Sequence, residues 1–200
     1  MLVDCKLLDD IVEKFNSKLV DYPYRFLCDL DYNDLLNKDY SFDGDCIEDI
    51  KTCQYENSDE FSTLNCFKIA AFDKKTLDIV GYLTFSHNLL DQNMEIVRID
   101  HSCSLKKTRR KKISIYLRII AFKYAIDNKS ISAIVSDTND LSGKLLIDKF
   151  KFTKYSEKEL NKLYREFHSS LFASGNTFKI INEEGTDDLV FKSQINKYFE

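Results

Sequence analysis

The chain has 200 residues, with 29 Lys and Arg against 33 Asp and Glu, a net charge of −4, 44% hydrophobic residues and 13% aromatic ones, all Phe and Tyr. Such a chain can bury a sizeable core without staples, and its composition excludes a disordered or low-complexity protein. Six basic side chains fall within the seven positions 106–112, so the rest of the chain is more acidic than the net figure shows; a general nucleic-acid binder would spread its positive charge over a face.

Six cysteines (5, 28, 46, 53, 66 and 103) stand at long, irregular spacings with no CxxC pair. No metal site is expected from them, and reduced thiols are. The first twenty residues are charged throughout, and no run has the length and apolarity of a signal peptide or a membrane span. A cytoplasmic location is expected, with a nuclear one as the alternative through the basic run.

Residues 6–20 place Leu7, Leu8, Ile11, Val12, Phe15 and Leu19 on one helical stripe. Residues 21–62 are rich in Asp, Asn and Tyr, hold the single proline, Pro23, and are expected to contain one or two short helices. "CFKIAAF", "DKKTLD" and "IVGYLTFS" read as strand, turn and antiparallel return. "NLLDQN" reads as a loop and "MEIVRIDHSCSL" as a longer strand, which ends in the basic loop. From Ile113 to Ile126, the residues Ile115, Ile119, Ile120, Phe122 and Ile126 fit a buried helix. "ISAIVS", 131–136, is a strand of the kind buried on both faces. "LSGKLLIDKF" is a helix with Asp140 as its cap, "KFTKY" a strand, 156–171 a charged amphipathic helix, and "NTFKIINEEGTDDLVFKS" a hairpin around Gly185. The expected fold is mixed α/β: a central, mostly antiparallel twisted sheet with a splayed parallel pair, flanked by helices. One domain spanning 1–200 is expected, with an N-terminal helical layer at 1–62, a core at 66–155 and a C-terminal helix and hairpin at 156–200.

A strand running through a loop into a helix directs unpaired main-chain N–H groups outward, and the helix start carries partial positive charge. An anion docks there readily, and Arg109 to Lys112 add full charges. "TRRKKIS" resembles the cofactor loop of the GNAT superfamily of N-acetyltransferases, whose pattern is Gln/Arg-x-x-Gly-x-Gly/Ala. Arg109 matches the first position, Lys112 the first glycine and Ser114 the small last residue. "FKIAAFDKKTLDIVGYLTF" is similar to the family's second and third strands, with Gly81–Tyr82 as its glycine–aromatic pair. "DLSGKLLIDKFKF" resembles the helix Asn-x-x-Ala-x-x-Leu-Tyr-x-x-x-Gly-Phe, with Asp140, Gly143, Leu146, Ile147, Lys151 and Phe152 on its marked positions. The resemblance covers about residues 66–155 and departs from the pattern at Lys112 and Ile147, where the family prefers Gly and Tyr.

The resemblance implies a GNAT-like fold and transfer of an acetyl group from acetyl-CoA to a primary amine by direct attack in a ternary complex. Arg109, Arg110, Lys111, Lys112, Ile113 and Ser114 would hold the diphosphate. Ser102, Cys103, Ser104 and Leu105 would lie along the thioester, with Asp140 and Ser142 at the next helix. For the base, Glu95 and Asp100 are the candidates, with His101 as a third. By two-residue alternation Glu95, Val97, Ile99 and His101 share one face of the strand, and Met94, Ile96, Arg98 and Asp100 the other. For the acid, Tyr155, Ser142 or water would serve, since Ile147 cannot donate a proton. Cys103 is a further candidate as a nucleophile, beside its plain reading as a small buried residue. The acceptor would be an amine on a small molecule, a peptide lysine or an N-terminus. The acidic stretches "DLDYNDLL" and "DGDCIEDI" suit a cation, or form a solvated surface. A homodimer through the C-terminal strands is possible by analogy. Two other readings stand beside the enzyme: a protein of this fold without catalysis, acting as a binding or regulatory module, and a nucleic-acid binder working through 106–112.

Overall fold

The computed structural model describes residues 2–28, 62–91, 94–136, 140–154, 156, 158, 177–181 and 189–200. The apolar stripe near the N-terminus forms helix α1 (Leu2–Lys18), which buries Leu8, Ile11, Val12 and Phe15. The chain then turns through Tyr22 and Pro23 into strand β1 (Tyr24–Cys28). One or two short helices were expected within 21–62. At its start a strand forms, because Tyr24 and Phe26 alternate with Arg25, two inward and one out, and pair with the end of β2. Residues 29–61, with both acidic stretches, lie outside the described residues.

Strands β2 (Ser62–Asp73) and β3 (Ile79–Asp91) form a long hairpin, and β4 (Met94–Ser104) returns beside β3. "NLLDQN" is not a loop along its length: Asn88 to Asp91 continue β3. Its polar residue misleads because Asn88 is fully buried and satisfied inside, its amide donating to Ser86 Oγ at 2.9 Å. After β4 come a short 3-10 turn (Lys106–Thr108), helix α2 (Ile113–Asp127) and β5 (Ile131–Ser136). Helix α3 (Asp140–Phe150), β6 (Thr153–Lys154), β7 (Thr177–Ile180) and helix α4 (Leu189–Asn196) complete the described elements.

The sheet runs β1-β2-β3-β4-β5-β7-β6, and β4–β5 is its one parallel pair among the described residues. This is the mixed, mostly antiparallel sheet with a parallel pair expected from the sequence. α2 crosses its middle, packing against β2, β3, β4 and β5. Phe67, Phe85 and Tyr124 stack beneath it, while Phe15, Phe26, Tyr116 and Phe199 tie α1, β1, α2 and the C-terminus together.

One C-terminal expectation fails. The hairpin around Gly185 has its first limb in β7, but its expected second limb is helix α4. Phe191, Ile195 and Phe199 recur every fourth residue and are all buried, a helical spacing that outweighs the β-branched look of "LVF". β7 lies between β5 and β6, and β6 pairs with it at Thr177 and Phe178. The helix expected at 156–171 lies outside the described residues, apart from 156 and 158.

The thiols were expected to be reduced. Cys5, Cys28 and Cys66 are thiols, but Cys103 is disulfide-bonded, its partner lying outside the described residues. Cysteines joined across distant parts of a chain leave no spacing signature, so composition could not reveal the bond.

A candidate cofactor site at the loop after β4

β4 and β5 run side by side from Glu95–Ile131 to Ile99–Ser136, the last described residue of β5. β4 continues from Asp100 to Ser104, and against β3 its register slips at the same point. Ile99 faces Phe85 and His101 faces Thr84, leaving Asp100 as the extra residue of a bulge. The simple two-residue alternation assigned to 94–101 therefore breaks at Asp100. A bulge bends its strand locally, here just past the last parallel pair of β4 with β5.

Asp100 is half-buried, its side chain 13% exposed. Its Oδ1 accepts from Ser86 Oγ at 3.2 Å and lies 3.4 Å from Arg98 Nε. Burial pushes its carboxyl up to about 6, against the smaller opposing pulls of Arg98, Ser86 and His101. Desolvation thus outweighs the ion pair, giving a carboxylate basic enough to accept a proton near neutrality.

Glu95 stands elsewhere. It pairs with Ile131 at the opening of the parallel ladder, five residues from Asp100, or roughly 16 Å along the strand. Its Oε2 meets His87 Nε2 at 2.6 Å and accepts from Ser130 Oγ, and His87 Nδ1 lies 3.4 Å from the Tyr124 hydroxyl. The two carboxylates considered as bases therefore stand well apart on β4, and only Asp100 lies beyond the last parallel pair with β5.

The loop beyond β4 is anchored by its base. Leu105 N–H donates to the Val80 carbonyl at 2.9 Å, and the Leu105 side chain is buried in the core. Thr108, the one uncharged residue in the basic run, is also buried; its hydroxyl donates to Leu105 O at 2.8 Å and lies 3.3 Å from Val80 O. The six basic side chains around it are all exposed. Arg110 (φ 67°) and Lys112 (φ 64°) both hold left-handed backbone, an arrangement that costs a non-glycine residue about 1–2 kcal/mol. Lys112 caps α2: its carbonyl accepts from Tyr116 N–H at 2.9 Å, the first bond of the helix. The N–H groups of Arg110, Lys112, Ile113 and Ser114 have no partner among the described residues. The loop thus offers main-chain donors at a helix start amid six cations, the elements of an anion cradle.

Below the loop lies a charge the sequence analysis passed over. Arg118, on α2, is 4% exposed. It donates to Ser114 O at 3.3 Å and to Ser114 Oγ, and the Ser114 and Ser102 hydroxyls are 3.4 Å apart. Its Nε has no partner among the described residues, and burial lowers its pKa to about 10. The signal was available, as an arginine within an otherwise apolar helix. Gly81 matters by closeness: a Cβ there would come within 2.7 Å of Ile113 Cγ2 and 3.0 Å of the Cys103 carbonyl. Its bare Cα lets β3 press against the start of α2 and so helps fix the loop.

Ser102, Cys103 and Ser104 are half-buried on β4 past its last parallel pair with β5. In its disulfide Cys103 has no thiolate, so it is not a nucleophile in this state. Asp140 is the first residue of α3 rather than a flanking cap; its side chain, that of Ser142 and all of Tyr155 lie outside the description. Ile147 is half-buried on α3, and Lys151, just past that helix, takes a left-handed φ of 58° with its N–H donating to Ile147 O at 3.1 Å.

No protein-family model matches the chain, and no curated protein matches it in sequence. Solved structures match in shape. KacTA, from a complex with DNA, superposes with a TM-score of 0.52 at 14% identity, over 88% of this chain and 98% of that one. A GNAT-family acetyltransferase from Staphylococcus aureus Mu50 gives 0.45 at 17%, over 88% and 94%. NAA60 of Arabidopsis thaliana, bound to a bisubstrate analogue, gives 0.42 at 15% over 46% of this chain, which spans 63% of that protein's length. The architecture is GNAT-like: a mixed sheet with one parallel pair and flanking helices. At these identities the likeness defines the fold. Among the described residues no helix is long and apolar enough to cross a membrane.

Proposed function

We propose that the chain is an N-acetyltransferase that binds acetyl-CoA beside β4 beyond its parallel ladder with β5 and passes the acetyl group directly to a primary amine. The observation that carries this reading is the set of N–H groups at Lys112, Ile113 and Ser114 that have no partner among the described residues, at the start of the helix that follows β4 and its basic loop. In this reading those amides and the side chains of Arg109 to Lys112 hold the diphosphate. Ser102 to Ser104 line the thioester, with β4 main-chain donors polarising its carbonyl. Asp140 and Ser142 flank the site from α3.

The base is Asp100. Its raised pKa, about 6, leaves it ionised at neutral pH yet able to take a proton from the acceptor ammonium, directly or through water. Glu95, engaged with His87 and Ser130, has no part in this step. The departing thiolate takes its proton from Tyr155, Ser142 or water, since Ile147 offers none. An amine-bearing acceptor, small molecule or peptide, fits the acidic character of 29–50.

Ile147 favours a second reading, a protein that binds CoA without turnover. Titrating acetyl-CoA, CoA and an oligonucleotide at two salt concentrations distinguishes the readings. CoA binding is expected, with acetylation of some member of an amine panel; binding without turnover supports the second reading. Oligonucleotide binding that collapses with salt, without CoA binding, would point to the basic run as a nucleic-acid grip. Ser114→Asp suits a helix start beside Arg118 and leaves the fold intact, while opposing an anion at the loop. It is expected to abolish CoA binding, and unchanged affinity refutes the placement.

A further inference from the structure

Tyr22 touches the loop from outside the region that carries the GNAT resemblance. Its hydroxyl donates to the carbonyl oxygen of Lys111. Its ring packs edge-on against Tyr116 of α2 with centroids 5.2 Å apart, and against Tyr24 at 5.3 Å. Burial raises its pKa further above the ordinary phenol value, so it is a proton donor throughout the physiological range.

That contact fixes more than one carbonyl. The described chain has no cis peptide bond, so the Lys111–Lys112 unit is trans. In a trans peptide C=O and N–H point in opposite directions. With the Lys111 carbonyl held on the Tyr22 side, the Lys112 N–H is turned to the opposite side and has no partner among the described residues. The next carbonyl, that of Lys112, is engaged by Tyr116 N–H at 2.9 Å. Lys112 is therefore held on both sides while its own φ of 64° is one a lysine resists. A glycine would enter this conformation unaided. Here a tether from another part of the chain does what glycine does elsewhere.

We infer that Tyr22 is a positioning residue for the cofactor loop: its hydroxyl, by holding the Lys111 carbonyl, sets the Lys112 peptide in the orientation that presents its N–H to the ligand's diphosphate. The inference rests on the acetyl-CoA reading of the loop and adds to it a residue from the α1–β1 connection.

The test is a double-mutant cycle read by calorimetric titration with CoA, using the full chain. Tyr22→Phe keeps the ring and removes only the hydroxyl. It is expected to weaken CoA binding about five- to tenfold, the usual scale for losing one hydrogen bond. In the Lys112→Gly background, whatever that change does alone, the same substitution is expected to alter affinity by less than about twofold, because glycine no longer needs the tether. Equal affinity of wild type and Tyr22→Phe overturns the inference. So does an undiminished effect of Tyr22→Phe in the glycine background, which would mark Tyr22 as a packing residue. If wild type itself does not bind CoA, it is the reading of the loop that fails; circular dichroism and thermal melts of each variant confirm that the fold is intact.

Discussion

Asp100→Asn separates stability from activity in one residue. The carboxyl titrates at about 6 in the fold against 3.8 as a model group, so folding favours its protonated form. The stability it contributes is therefore fully present below pH 3.8 and is lost as pH rises through about 6. A shift of this size corresponds to about 3 kcal/mol. Asparagine keeps the volume, can still accept from Ser86, and carries no charge to desolvate. Urea unfolding at pH 8 is expected to show Asp100→Asn more stable than wild type by about 3 kcal/mol, and at pH 4 by less than about 1 kcal/mol. If Asp100 is the base, the same variant loses about 100- to 10,000-fold in kcat/KM. Wild-type kcat/KM is expected to rise with pH and level off above about 6. An Asn variant no more stable than wild type at pH 8, or one whose gain does not shrink in acid, would refute the claim that desolvation governs this carboxylate.

Arg118→Met removes a buried guanidinium with no carboxylate partner among the described residues, at the cost of its bonds to Ser114. Calorimetric melts of the ligand-free protein are expected to show a gain of about 1–3 kcal/mol, constant from pH 5 to pH 9 because the arginine titrates only at about 10. Lys151→Gly is expected to stabilise by about 0.5–1 kcal/mol in denaturant unfolding, since it relieves a left-handed lysine past α3. A loss at that position would mean that the Lys151 side chain, whose Nζ donates to Asp148 O at 2.9 Å, outweighs the backbone strain.

The core was legible because its periodicities are strong. "ISAIVS" is a strand over the very residues expected, and the helix from Ile113 ends one residue later than its apolar pattern suggests. Misreadings arose where polar residues are buried or apolar ones recur at a spacing shared by two structures. Asn88 and His87 extend β3 inside the core, satisfied by Ser86, Glu95 and Tyr124. "DLVFKS" looks like a strand until Ile195 and Phe199 are counted with Phe191. In the candidate site, the loop and Asp100 were visible in the sequence, but what sets their properties was not. The bulge at Asp100 is a matter of register with β3. Tyr22 reaches Lys111 across 89 positions, a separation at which no local pattern operates.

Two lysines share an uncommon backbone. In the resemblance drawn from the sequence Lys112 and Lys151 fall on glycine positions of the GNAT motifs, and both adopt the left-handed backbone that glycine favours, with φ of 64° and 58°. Among the described residues just two other non-glycine positions, Leu77 and Arg110, have positive φ. Both positions thus combine a backbone suited to glycine with a lysine side chain. A lysine can hold such a conformation only where its surroundings over-determine it. At Lys151 the helix end does so, through Ile147 O and Leu146 O, which accept from Lys151 and Phe152. At Lys112 the hold comes from Tyr116 on one side and Tyr22 on the other. Lys112 adds a cation beside a set of free N–H groups, a gain where the ligand is an anion. It also makes the loop's shape depend on the α1–β1 connection, so a substitution at Tyr22 acts on the loop although it lies outside every motif.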